Sequence, residues 1–109
     1  MSESAASDDD DCPPPPAIEG ALTREMRIVN RKGLHARATA KFVQCVERFD
    51  SEINVTRCGE TVGGLSIMGI LTLGAGLGST ITVHARGEDA EAALDAIAEL
   101  VANRFGEDE

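Results

Sequence analysis

SEINVTRCGETVGGLSIMGILTLG, residues 51–74, holds two changes of period that decide the fold. Ile53 and Val55 alternate with polar neighbours up to Cys58-Gly59, and a second short run follows, so the segment begins as two strands joined in a hairpin. LSIMGILTLG then turns apolar and compact, opened by Ser66 and closed by Gly74. A serine N-cap and a glycine after the last turn fit a brief helix there. Downstream, STITVHAR sets Ile81, Val83 and Ala85 against Thr82 and His84, the alternation of a strand.

Outward from this centre the elements are regular. TREMRIVN reads as a strand that RKGL breaks. After His35, the residues Thr39, Phe42, Val43, Val46 and Phe49 recur at helical spacing and predict an amphipathic helix of about fourteen residues. EDAEAALDAIAELVANRFG places Ala90, Ala93, Leu94, Ile97, Leu100 and Val101 on one face, with acids at its start and Arg104 near its end, as the helix dipole favours. The order strand, helix, strand, strand, helix, strand, helix predicts an α+β layer pair, an antiparallel sheet covered by helices on one face.

Charge is unevenly spread over the 109 residues. The net charge of −9 comes from the two ends, residues 1–20 and 107–109, whereas the body between them is balanced. Inside the body, residues 21–48 carry Arg24, Arg27, Arg31, Lys32, Arg37, Lys41 and Arg48 against Glu25 and Glu47, a face able to steer an anionic ligand or an acidic protein surface. The segment SDDDDCPPPPAIEG is poor in apolar residues and rich in proline, so residues 1–20 are expected to form a disordered acidic tail and residues 21–109 one folded domain.

Composition narrows the function. With no Trp or Tyr and 3 Phe, the chain has little to stack on bases, and nucleic-acid binding is not expected. No apolar run is long enough for a membrane span, and the acidic start is unlike a signal peptide, so a soluble cytoplasmic protein is expected. The cysteines, Cys12, Cys45 and Cys58, are odd in number and far apart, with no CxxC pair; neither a metal site nor a disulfide framework is expected, and Cys45 reads as a buried apolar residue. GAGLGS opens a strand where a phosphate-binding loop would open a helix, so no nucleotide or other cofactor is expected. His84, on the polar side of its strand, reads as structural or merely exposed, and Lys41 and Arg48 as solvated helix charges or the border of a docking face.

The stretch RKGLHARATAKF, residues 31–42, carries the chemistry. His35 stands where loop becomes helix, so the free N–H groups of Ala36, Arg37 and Ala38 make an anion site beside its imidazole. Arg37 adds a planar donor fork and Gly33 eases the turn. The helix dipole contributes only about 0.3–1 kcal/mol. More stabilisation comes from the grip that several N–H groups and a guanidinium would have on phosphoryl oxygens. The arrangement suits a nucleophilic histidine that takes a phosphoryl group and hands it on, with donor and acceptor supplied from outside; the competing structural reading is a lone histidine at a helix N-cap.

GLHARATAKFV, together with SIMGILTLGAGLGSTITV, resembles the HPr family, the phosphocarrier proteins of the bacterial phosphoenolpyruvate-dependent phosphotransferase system. The likeness runs over residues 26–105. It implies an open-faced β-sandwich with a four-stranded antiparallel sheet and three helices (βαββαβα), and a phosphoryl-transfer intermediate rather than a stand-alone catalyst. His35 matches the phosphorylated histidine, modified at Nδ1, and Arg37 the arginine that contacts the phosphate. Enzyme I is the implied donor, enzyme IIA proteins the acceptors, and a monomer the expected state. Ser66 matches the regulatory serine, target of HPr kinase/phosphorylase where that enzyme occurs. A phosphate there would bring roughly −1.5 to −2 charge beside Ile67, Met68 and Leu71, the expected docking residues. The common pattern reads His-Ala-Arg-Pro, and Ala38 takes the proline's place, a tolerable exchange in a first helical turn. The FGEDE ending is similar to the nitrogen-related branch, so sugar uptake and nitrogen regulation both fall within the resemblance. The alternative function is a regulatory binding module controlled by phosphorylation at Ser66, acting through protein contacts rather than transfer.

Overall fold

The computed structural model describes residues 12–109. Its elements are β1 (Leu22–Arg27), α1 (Ala36–Val46), β2 (Glu52–Arg57), β3 (Glu60–Gly63), α2 (Ile67–Thr72), β4 (Thr80–Arg86) and α3 (Ala90–Ala102), followed by a single 3-10 turn, Arg104–Gly106. The strands form one antiparallel sheet in the order β1-β4-β2-β3. The expected open-faced sandwich is therefore observed, in the expected sequence of elements.

Strand alternation sorts the side chains between two faces. Met26, Ile53, Val55, Ile81, Val83 and Ala85 point toward the helices and are buried. Phe42 and Val46 of α1, Ile70 of α2, and Leu94, Ile97 and Val101 of α3 complete that core. α3 packs on β1 and β4, and α1 lies between α2 and α3. On the other face the register sets Thr23 beside His84 and Thr56 beside Thr82. Thr56 Oγ1 lies 2.9 Å from His84 Nε2 and 2.7 Å from Thr61 Oγ1. His84 is buried, which settles its role as structural, and burial lowers its pKa below the ordinary imidazole value.

Two expectations change. The first helix stops at Val46 rather than Phe49, because the amides of Arg48 and Phe49 reach back only three residues, to Cys45 and Val46, and tighten the end into a turn. The expectation of no disulfide is overturned: Cys12 and Cys58 are bonded, with Cα atoms 4.6 Å apart across 46 residues of sequence. Sequence spacing could not show this, since the proline run brings Cys12 back to the tip of the β2–β3 hairpin only in three dimensions. Cys45 is free and buried, as expected, and burial pushes its thiol pKa up. Of the segment expected to be a tail, residues 1–11, with the block Asp8–Asp11, lie outside the described residues. Residues 12–20 hold no helix or strand.

Candidate functional site

The site forms where the loop after β1 meets the start of α1. Gly33 makes that meeting possible. Its φ is +67°, and a Cβ on it would stand 2.5 Å from the Ala75 carbonyl oxygen. Only glycine relieves both constraints. The Leu34 amide then donates to the same Ala75 carbonyl at 2.9 Å, which locks the loop onto the segment between α2 and β4. Thr39 Oγ1 donates to the Leu34 carbonyl, and the His35 carbonyl accepts the Thr39 amide at 2.8 Å, the first bond of α1.

His35 occupies the N-cap with extended backbone, as expected, but its side chain makes no capping bond. Its Nε2 instead lies 2.5 Å from Glu107 Oε2. The other carboxylate oxygen of Glu107 accepts from Asn30 Nδ2 at 3.0 Å, and the same Asn30 nitrogen donates to the Gly33 carbonyl at 2.9 Å. Asn30 is fully buried, so it is a fixed post between the loop and the C-terminal segment. The bond from His35, followed by that from Asn30, holds the Glu107 carboxyl below its ordinary pKa.

An ionised carboxylate only accepts hydrogen bonds, so Nε2 carries the hydrogen in this pairing. Neutral imidazole then keeps its lone pair on Nδ1. Among the described residues Nδ1 has no hydrogen-bond partner. A cleft of about 500 Å³ is bordered by Arg31, Lys32, His35 and Arg37 on one side and by residues 107–109 on the other. Arg31 pairs with Glu109, Nη1 to Oε1 at 3.0 Å, and its amide donates to the Glu109 carbonyl. Arg37 is exposed in the first turn of α1, and its side chain makes no hydrogen bond or ion pair to another described residue.

Glu107 was missed by sequence reasoning. The acidic ending was visible, but its return to the basic stretch depends on three left-handed backbone positions after α3: Arg104 at φ 59°, Phe105 at 55° and Gly106 at 79°. Phe105 is buried, and Lys41 Nζ donates to its carbonyl at 2.6 Å. Lys41, read from sequence as a solvated or docking charge, therefore holds the turn that aims Glu107 at His35.

Ser66 lies apart from this cluster, as N-cap of α2, where its Oγ accepts the Gly69 amide at 3.0 Å. Ile67 and Met68 are exposed, while Leu71 is half-buried. Leu65 and Leu77, two further exposed apolar side chains, were not among the expected docking residues. Ala38 is fully buried in the first turn of α1.

The family model for the HPr component phosphorylation site of the phosphotransferase system matches residues 22–103. The chain belongs to the HPr phosphocarrier family. An HPr from Cupriavidus necator is 48% identical over 88 residues, 81% of this chain and 99% of that one. A relative named phosphocarrier protein NPr, from Shewanella violacea, is 43% identical over 79% of this chain and 94% of its own. The crystal structure of an HPr from Thermoanaerobacter tengcongensis superposes with a TM-score of 0.78 at 39% identity, covering 81% of this chain and 99% of that one. Membership in the HPr family implies phosphoryl transfer within the phosphotransferase system. Cys12 and Glu107 both fall outside the residues that the family model matches. No helix among the described residues is long and apolar enough to cross a membrane.

Proposed function

We propose that this HPr-family protein is a cytoplasmic, monomeric histidine phosphocarrier that accepts a phosphoryl group from phosphorylated enzyme I on Nδ1 of His35 and passes it to enzyme IIA proteins. One observation carries the reading: Glu107 engages Nε2, and Nδ1 of this N-cap histidine has no partner among the described residues, beside the cationic edge of the cleft. In the forward step the Nδ1 lone pair attacks phosphorus, an N–P bond forms, and the donor's bond to phosphorus breaks. The same atoms exchange in reverse when an acceptor arrives. Arg37, with no competing ion pair among the described residues, takes the phosphate oxygens together with the first amides of α1. Arg31, on the same edge of the cleft, is paired with Glu109.

Ser66 is the proposed regulatory phosphorylation site, with HPr kinase/phosphorylase as the matching partner. Its exposed position among Leu65, Ile67 and Met68 would place a new dianion within an apolar docking patch, which weakens contact with an acidic or apolar partner surface.

Incubation with phosphoenolpyruvate and enzyme I tests the carrier role. An acid-labile label is expected on the native chain and none on His35→Ala, whereas a serine phosphate survives acid. An acid-labile label that persists in His35→Ala removes the assignment.

A further inference from the structure

The hairpin tip between β2 and β3 holds an unusual residue. Cys58 has φ 53° and Gly59 φ 83°, so both central turn positions are left-handed. Two-residue turns of this kind favour Asn, Asp or Gly at the first position, and a cysteine there is backbone strain without a local reason. The reason is Cys12, bonded to it from the far side of the proline run. Pro13 follows directly and packs on the turn: a Cβ on Gly59 would meet Pro13 Cγ at 3.1 Å. Pro13 and Pro15 line one cleft with Glu25, Thr56 and Thr82, on the sheet face that no helix of the described residues covers. A proline run loses little conformational entropy on seating, because its backbone is already extended.

Accessibility divides the three cysteines. Cys58 is exposed and Cys12 half-exposed, whereas Cys45 lies in the core of α1. The bonded pair therefore lies within reach of solvent species and Cys45 does not.

We propose that Cys12 and Cys58 are a reversible thiol–disulfide site, oxidised by a small-molecule disulfide such as glutathione disulfide, whose bonded state seats the proline arm against the hairpin and the open face of the sheet. The thiolate of Cys58 attacks one sulfur of glutathione disulfide, whose S–S bond breaks and releases one glutathione thiolate. The Cys12 thiolate then attacks the Cys58 sulfur of the mixed disulfide and releases the second. Two electrons pass from the cysteines to glutathione disulfide, and the two cysteine protons end on the two glutathione thiols. This site rests on the arm and the hairpin alone, so it stands or falls independently of transfer through His35.

The test uses the full chain, reduced and then exposed to excess glutathione disulfide. Peptide mapping is expected to find Cys12 linked to Cys58 within one molecule, with Cys45 alkylated only after denaturation. Nuclear Overhauser contacts between Pro13 and Gly59 are expected in the oxidised chain and absent after reduction, and reduction should lower Tm by about 5 °C or more. Cys12→Ser should match the reduced chain in both readouts. Mixed glutathione adducts or disulfide-linked dimers as the main product, or Pro13–Gly59 contacts that persist after reduction, would overturn the proposal.

Discussion

Glu107 touches His35 with one carboxylate oxygen and Asn30 with the other, so it does two opposing things at once. It orients the imidazole, and it sets a negative charge near the place proposed for a phosphoryl group. Separate substitutions divide these effects. Glu107→Gln keeps an acceptor for Nε2–H but removes the charge, and the equilibrium level of phosphohistidine should rise by about two- to fivefold, the range of a modest charge interaction. Glu107→Ala also removes the acceptor, and the rate of phosphorylation by enzyme I should fall by about fivefold while the equilibrium level of phosphohistidine still rises above that of the native chain. Quench-flow phosphorylation with acid-labile label counting reads both numbers; equal behaviour of the two variants would contradict the orienting role. Gly33 gives a purely structural prediction. A methyl group there meets a backbone oxygen at 2.5 Å in a left-handed conformation, so Gly33→Ala should cost about 2 kcal/mol or more and lower the urea midpoint at unchanged slope.

At the scale of elements, α2 is a six-residue helix that depends on its cap. Ser66→Ala should cost about 1 kcal/mol, read as a lower urea midpoint. Ser66→Asp should keep the cap, and therefore stability, yet slow transfer to an enzyme IIA protein if the neighbouring apolar patch docks it. Gly69 explains why the cap fits: a Cβ there would stand 2.8 Å from Ser66 Oγ and 3.0 Å from Val62 Cβ. These local features were readable in the sequence, because a serine before an apolar run, a turn glycine and a two- or 3.6-residue period each act within a few residues. The hairpin around Cys58-Gly59 and the stripe of α3 were legible for the same reason. The placement of His35 and Arg37 at the start of α1 was legible because both lie within one turn of a single helix start. What stayed hidden was built across distance. Glu107 meets His35 over 72 positions and Cys12 meets Cys58 over 46, and no local pattern encodes either meeting. The left-handed backbone at Arg104 and Phe105 is equally unmarked, since neither is a residue type that favours it.

For the molecule as a whole, acid should lower stability in two stages. His84 is buried with its pKa lowered, so its contribution is complete above the unfolded value of 6.5 and is lost as pH falls through the folded one. Glu107 and Asp89 are also lowered. The Asp89 carboxylate accepts from the Ser51 hydroxyl and from the amides of Asp50 and Ser51. Their contributions are present above the unfolded values of 4.5 and 3.8 and disappear as pH drops through the folded values. Urea midpoints should decline first below about pH 6.5 and again below about pH 4.5. His84→Gln should remove only the first decline; a midpoint flat from pH 7.5 to 5 in the native chain would contradict the account.

The strand order carries a consequence for synthesis. β4 is an inner strand of the sheet, yet it is the last strand to leave the ribosome, with β1 and β2 both waiting for it as their shared neighbour. Until Arg86 has emerged, only the β2–β3 hairpin has a partner within the sheet, and β1 has none. The nascent chain therefore exposes two strand edges around an empty central lane, and a chain halted before Thr80 lacks both the strand that joins the hairpin to β1 and the helix α3 that packs on that strand and on β1.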